Sequence, residues 1–485
     1  MSLSSSLHSA LSGLNAASRA VELVSSNVAN AMTEGYAKRE INLAAQTVGG
    51  NGAGVQVVGI TRIVNERALA DQRDANANMA NAETQAEAWI SIETAIGYPT
   101  ESGSLTDRID QFEAALISAA SRPEETIRLE KAVSAAVDLA EGLNSISDEI
   151  AETRMEADAD IADMVSQLNT QLDQVQSLNW QIFRMGNSGQ DTASLLDERQ
   201  ALVDSISEII PVHQVERDGK QIALFTPGGA TLLDGPAAEL SFTPHAVITP
   251  NMTLENGTLS GLELNGEPLT LHSSYGSIEG GRLAAAFEVR DVITVEAQAG
   301  LDSLARDLIG RFEDSSLDST VATDGLGLFV DGAVSFDPTL ETGLAARISV
   351  NANVDPNSGG EAWRIRDGVG AVTAGEEGDA SLLSAMADRI TQTRVAASGV
   401  SAGVSRSLSG IASDLLSEIS SNFSQQENAQ AFHSARAEAV AYEIAQDGVD
   451  TDTEMQKLLM IEQAYAANAR VIQTVDELMQ QLLEL

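Results

Sequence analysis

LLMIEQAYAANARVIQTVDELMQQLLEL, residues 458–485, reads as one helix with a single apolar face. With Leu458 at heptad position a, the a and d positions are Leu458, Ile461, Tyr465, Asn468, Ile472, Val475, Met479 and Leu482, and Asn468 alone is polar. Ala464, Val471, Leu478 and Leu485 at g make the stripe wider than a two-stranded seam needs. Neither glycine nor proline interrupts it. A helix this long and this apolar on one side needs a partner in water.

The other end of the chain supplies a matching pattern. With Leu7 at a, the a and d positions are Leu7, Ala10, Leu14, Ala17, Val21, Val24, Val28 and Ala31. Small residues at d, together with Gly13, let a neighbouring helix approach closely. Arg19 and Glu22 are its only strong charges, so the acidity of the protein lies away from this seam. The complementary stripes predict that the two terminal helices pack together. The competing reading is two ordinary core helices.

After the first helix, Asn30 and Gly35 predict a helix exit, followed by an extended run from Ile41 to Val48. Gly49-Gly50-Asn51-Gly52 then reads as a turn and Gly54 to Ile60 as a second strand. Residues 66–210 are rich in Ala, Leu, Glu and Gln, with breaks near Gly97-Tyr98-Pro99 and Arg122-Pro123. Within them Ile161, Val165, Leu168, Leu172, Val175 and Ile182 form a further heptad stripe, with Asn179 as its polar member. The acidic run between 148 and 163 reads as a solvated helix face. A helix from Asp191 ends at Pro211. Residues 211–281 carry hairpin signals at Asp218-Gly219, Asn256-Gly257 and Asn265-Gly266. Helix returns over 282–313, and 316–379 is turn-rich and β-like. Helix resumes at Ala380, with breaks at Ser398-Gly399 and Gly410.

The resulting fold class is mainly α with β-rich insertions, in nested domains. The terminal coiled-coil domain is 1–45 with 448–485. A helical domain takes 46–210, 282–315 and 380–447. The β-rich outer part is 211–281 and 316–379.

Bulk composition bounds the function. The 485 residues suggest about three domains at ~150 residues each. The formal charge of −43, from 28 basic and 71 acidic residues, excludes nucleic acid or an anionic membrane as the main partner. There is no cysteine, so disulfides and thiolate chemistry are excluded. The N-terminus has no basic flank or continuous apolar run, and no stretch reaches ~18 apolar residues. The expectation is a cytoplasmic protein, or one exported without a cleaved signal.

Chemistry is sparse. Gly399-Val400-Ser401-Ala402-Gly403 matches a nucleophile elbow, with Asp414 and His433 after it, but a helical segment precedes it where a strand is required. Asp447, Asp450, Asp452 and Glu454 lack the spacing of a calcium loop and read as helix N-cap and dipole partners. The five histidines, His8, His213, His245, His272 and His433, are scattered. No catalytic, cofactor or metal residues are assigned, and the chain reads as a non-enzyme.

The run Ser12-Gly13-Leu14, Ala16-Ala17, Asn27-Val28-Ala29-Asn30 and Thr33-Glu34-Gly35-Tyr36 resembles the N-terminal motif of bacterial flagellar rod, hook and hook-associated proteins. Glu462 to Ile472 resembles their C-terminal motif. Ser26 stands where asparagine is common, and Arg39 follows the tyrosine later than usual. Leu195-Leu196-Asp197-x-Arg199 after a long helical region is similar to the hook-associated members, as are Gly280 to Asp291 and Asp324 to Phe329. The resemblance implies a structural subunit of the flagellum joining hook to filament, the alternative being another axial component such as hook protein. It further implies secretion by type III export to the outside of the cell. The implied partners are hook protein, hook-associated protein 3, filament protein, a ring of identical copies, and an export chaperone on the C-terminal helix. The assembly residues expected on this basis are Leu7, Leu14, Val21, Val24, Val28, Asn27, Asn30, Gly35, Tyr36, Leu458, Ile461, Tyr465, Ile472, Val475, Met479 and Leu482.

Overall fold

A computed structural model describes residues 3–33, 35–48, 51–269, 278–322, 325–332 and 334–483. Glu34, the turn residues Gly49-Gly50, His272, Asp324 and Leu485 lie outside the described residues.

The chain opens with helix α1 (Leu3–Ala29) and an antiparallel ribbon of β1 (Arg39–Val48) and β2 (Asn51–Arg62). Four helices follow: α2 (Glu66–Ile96), α3 (Leu105–Ser121), α4 (Thr126–Asn187) and α5 (Ala193–Ile209). Side-chain caps set several starts: Asn65 accepts from the Ala68 amide and Ser104 from the Asp107 amide. Gly97, at φ 74°, ends α2.

Short strands come next: β3 (His213–Glu216), β4 (Ile222–Phe225), β5 (Thr231–Leu233), β6 (Leu240–Ser241), β7 (Leu262–Leu264) and β8 (Glu267–Leu269). They form two three-stranded antiparallel sheets, β3-β4-β5 and β6-β7-β8. Asn265-Gly266, at φ 54° and 81°, makes the β7–β8 hairpin turn. Asn256-Gly257 makes a turn with no flanking strands.

Helix α6 (Gly281–Glu288) runs through a π-helical segment, Val289–Ile293, into α7 (Thr294–Phe312). The 316–379 stretch holds only two three-residue strands among its described residues, β9 (Phe329–Asp331) and β10 (Ile348–Val350), with the short helix α8 (Arg364–Asp367). It is irregular and pinned by Asp and Asn turns, rather than sheet-like. Then come α9 (Ser381–Thr391), a hairpin of β11 (Arg394–Val395) and β12 (Ser405–Arg406), α10 (Leu408–Gln446) and α11 (Thr451–Leu483). Gly410 does not break a helix. It lies in the first turn of α10, where its amide donates to the Ser407 cap. Among the described residues no helix is long and apolar enough to cross a membrane.

Helix α4 is the spine, about 90 Å long for its 62 residues. Its first half, Leu129 to Ala157, packs with the end of α2, α3, α7, α9 and the start of α10 in one core. Its second half, Ile161 to Val175, packs with α5, α6 and the strands β4 to β7 in another. Polar residues mark the junction between the cores. Arg290, fully buried in the π-helical segment, pairs with Asp158 at 2.8 Å, and both side chains have no exposure. Arg154 donates to the carbonyls of Arg290, Thr249 and Met252. Asp158 therefore departs from the solvated acidic face expected of residues 148–163; its neighbours Glu152, Glu156 and Asp160 do lie exposed. Neither core includes α1 or α11.

Candidate assembly interface

Helices α1 and α11 pack against each other, antiparallel. Where they cross, Gly13 meets Asn468: a Cβ on Gly13 would lie 2.7 Å from Asn468 Nδ2. Any side chain at position 13 would force the Asn468 amide to move. The ribbon lies on the same helix, with the Val55 amide donating to Ser12 Oγ at 3.1 Å.

Burial along the pair is one-sided. On α1 the buried residues are Ala10, Ala16, Ala17, Ala20, Leu23, Val24 and Asn27; Leu7, Leu14, Val21 and Val28 are half-buried. On α11 Val475 is the one buried apolar side chain among the described residues, and Leu458, Ile461 and Ile472 are half-buried. Tyr465, Met479 and Leu482 are 45%, 47% and 60% exposed, and Leu459, Met460, Leu478 and Leu483 join them. In the register set by the Gly13–Asn468 and Asn27–Glu454 contacts, Leu478 faces Leu3, so Met479, Leu482 and Leu483 lie past the first described residue of α1, while Tyr465 lies on the side of the stripe that one partner helix leaves in water.

The N-terminal motif folds back on the pair. Asn27, fully buried, donates from Nδ2 to the Arg39 carbonyl and to Glu454 Oε2, both at 3.0 Å. Its Oδ1 accepts from the Tyr36 hydroxyl at 2.9 Å and the Arg39 amide at 3.1 Å. All four hydrogen-bonding positions of the asparagine amide are used. Asn30 donates to the Ser26 carbonyl and accepts from Thr33 Oγ1, closing the helix exit. Gly35, at φ 75°, turns the chain so that Tyr36 reaches Asn27. Glu454, 1% exposed, is held by Asn27 and by Lys457 Nζ at 2.8 Å. Composition around it suggests only an N-cap role, yet the C-terminal heptad, extended back one step from Leu458, puts Glu454 at d. That register is the signal for its burial. The cap is Asp450, which accepts from the amides of Asp452 and Thr453 and the Thr453 hydroxyl; the Thr453 hydroxyl first, then those amides, hold its carboxyl below the usual range.

The Leu-Leu-Asp-x-Arg motif in α5 joins three parts of the molecule. Asp197 accepts from Arg39 and Arg62 of the ribbon, each at 2.7 Å, and from the Ala37 amide just after the motif at 3.4 Å, tying both to the helical body. Arg199 donates to Asn179 Oδ1 at 2.9 Å and to the Lys220 carbonyl at 2.7 Å. Burial lowers the Arg199 pKa to about 10. Asn179, the polar member of the α4 stripe, exchanges hydrogen bonds with the Ile222 backbone and so ties α4 to β4. The sequence marks the motif but not the partners of either charge.

The elbow-like segment is the tip of the β11–β12 hairpin. Ser401 Oγ donates directly to Asp414 Oδ2 at 2.6 Å, and Asp414 also takes Arg406. His433 lies on the same helix as Asp414, nineteen residues further along, or about 28 Å. No Ser–His–Asp relay can form. The arrangement tethers the hairpin to α10.

Residues 7–36 match the flagella basal body rod protein family, 91–323 the flagellar hook-associated protein FlgK helical domain, and 444–485 the flagellar basal body rod FlgEFG protein C-terminal family. The chain resembles flagellar hook-associated protein 1. The protein of that name from Salmonella typhimurium is 26% identical over 326 residues, covering 62% of this chain and 58% of the relative. The Bacillus subtilis hook-associated protein 1 is 24% identical over 343 residues, covering 64% and 66%. The alignment thus spans little more than half the length of the Salmonella relative. The flagellar hook junction protein FlgK from Burkholderia pseudomallei superposes with a TM-score of 0.44 at 21% identity, over 56% of this chain and 47% of that one. Helix α1 from Leu7 on, with the loop to Tyr36, and helix α11 lie in the two rod-type matches, and α3 to α7 lie in the helical-domain match.

Proposed function

We propose that this chain is a structural subunit of the bacterial flagellum that joins hook to filament, assembling through α1 and α11. The observation that carries the reading is the order of matches along one chain: rod-type motif, hook-associated helical domain, rod-type C-terminus. The helical-domain match over 91–323 favours the junction role over hook protein. The exposed apolar edge of α11 supports assembly, since Tyr465, Met479 and Leu482 lack cover in the single chain. In this reading the uncovered edge packs on other copies in a ring, with hook protein below and hook-associated protein 3 and filament protein above. Before export a chaperone shields the same edge, and the assembled protein lies outside the cell. The role is mechanical: long helices packed along the axis resist shear. Deleting the gene tests this. Cells with hooks, no filaments and filament protein in the medium, restored by the intact chain, agree with the proposal; normal filaments in the deletion strain contradict it.

A further inference from the structure

We propose that the cleft between α4, α7 and the loops at 248–250 and 341–342 binds an organic cation on an aliphatic stem, an alkylammonium or alkylguanidinium, at Asp302. The cleft measures about 290 Å³, room for a four-carbon stem and its head, and Ile150, Ile248, Pro250 and Val295 give it apolar walls.

Asp302 lines this cleft at 2% exposure. A carboxylate offers about four acceptor positions. Three are taken: Oδ1 accepts from Gln298 Nε2 and the Ala345 amide, each at 2.8 Å, and Oδ2 accepts from the Gly343 amide at 2.6 Å. The fourth, on Oδ2, is open among the described residues. All three donors are neutral. The cations nearby are committed elsewhere. Arg347 forks onto Asp331 at 2.8 and 3.1 Å. Arg306 holds Glu341 at the rim, and Ser398 Oγ donates to the other Glu341 oxygen. Arg154, which also lines the cleft, gives one hydrogen bond from each of its three nitrogens to a backbone carbonyl and none to Asp302.

A buried carboxylate with no cation in its hydrogen-bond shell is costly, and a cation that completes the shell recovers the pairing. An aliphatic stem adds burial against the walls. The charge of −43 concentrates cations around the molecule and repels anions. Burial pushes the Asp302 carboxyl up to about 6 against the pull of its donors and of the Arg347 charge, so it is ionised at pH 8. The head could belong to a free small cation or to an arginine or lysine side chain of another chain; the chemistry recognised is the same.

Calorimetric titration of the full chain at pH 8 with n-butylguanidinium, n-butylammonium and n-butanol tests the proposal. Both cations should bind below a Kd of about 10 mM, and butanol at least tenfold more weakly. Asp302→Asn should weaken the cations about tenfold or more, as should pH 5. Because Asp302→Asn disturbs three hydrogen bonds, Ala299→Leu serves as a second variant. Ala299 is exposed at the cleft, so added bulk fills the cavity without entering the core, and cation binding should be lost. Acetyl-arginine amide binding at least tenfold tighter than butylguanidinium assigns the site to a side chain of another chain; equal binding assigns it to a free cation. Failure of both cations to bind by about 10 mM, or binding unchanged in both variants, overturns the proposal.

Discussion

Val475 is the residue on which the terminal pair is most exposed to test. It is 6% exposed and the one apolar side chain of α11 buried among the described residues. Val475→Asp removes about 2 kcal/mol of burial and asks the seam to hold an unpaired carboxylate, a cost of several kcal/mol. On the other side, α1 contributes four buried alanines, one leucine and one valine, and each alanine is worth only ~0.8 kcal/mol. The pair cannot hold the charge, so it should open. The two cores lack any residue of α1 or α11 and should not respond. Hydrogen exchange should therefore show lost protection over residues 5–26 and 455–480. The melting transition of the body should stay within ~2 °C, less than 1 kcal/mol would move it. In cells the variant should not build filaments, and filament protein should appear in the medium. A melting point lowered by more than ~4 °C would place Val475 in the body of the fold, and normal filaments would refute the role of the seam.

Asp197→Ala leaves Arg39 and Arg62, both mostly buried, without their carboxylate, and should cost about 3–5 kcal/mol of local stability; hydrogen exchange across 39–62 should rise while both cores stay protected. Arg290→Met strands Asp158 between the cores and should lower urea stability by about 3–5 kcal/mol, most of it regained in the double variant with Asp158→Leu. The Asp302 carboxyl, raised from 3.8 to about 6 in the fold, binds its proton more tightly folded than unfolded. Stability should therefore fall as pH rises from about 4 to 6, by at most ~3 kcal/mol, and level off above; a urea series that shows the same slope in Asp302→Asn would disprove the assignment. Gly13→Leu should separate α1 from α11, read as lost exchange protection, and Asn468→Ala should partly restore the contact by vacating the space.

Periodicity carried most of the architecture. Apolar spacing alone marks both terminal helices and the α4 stripe, because each buries one face on a partner whose position the stripe implies. The acidic run at 148–163 shows where that method ends. Asp158 sits among solvated carboxylates in the sequence, and its burial depends on Arg290, more than a hundred residues away, turned inward by a π-helical segment. Nothing local encodes that meeting. Gly410 misled for a related reason: a glycine in a first turn costs little once Ser407 caps the helix. The 316–379 stretch has the turn residues of a β region without the sheet, since its Asp and Asn side chains bond their own backbone instead of spacing strands. In the interface, the motif residues were legible as a signature and the heptad register marks Glu454, whereas the roles of Asp197 and Arg199 depend on distant partners that the fold brings to them.

The polar residues of the seam have a physical purpose that the apolar ones cannot serve. A stripe of alanines is nearly the same after a shift of one heptad, so burial alone specifies register weakly. Two contacts remove that freedom. Gly13 faces Asn468, and Asn27 bonds Glu454. Asn27 lies two heptads after Gly13, and Glu454 lies two heptads before Asn468, as an antiparallel pair in one register requires. Shift the helices by a heptad in one direction and the Asn27 amide meets the apolar Ile461, while Glu454 loses the Asn27 donor and keeps only Lys457. Shift them the other way and the Asn468 side chain meets a turn of α1 that has a Cβ where Gly13 has none. Either slip leaves a buried polar group unpaired or a side chain without room, each worth more than the alanine contacts regained. The terminal pair is thus held weakly but in one alignment. In the assembly role proposed above, one alignment fixes which apolar residues of α11 face outward.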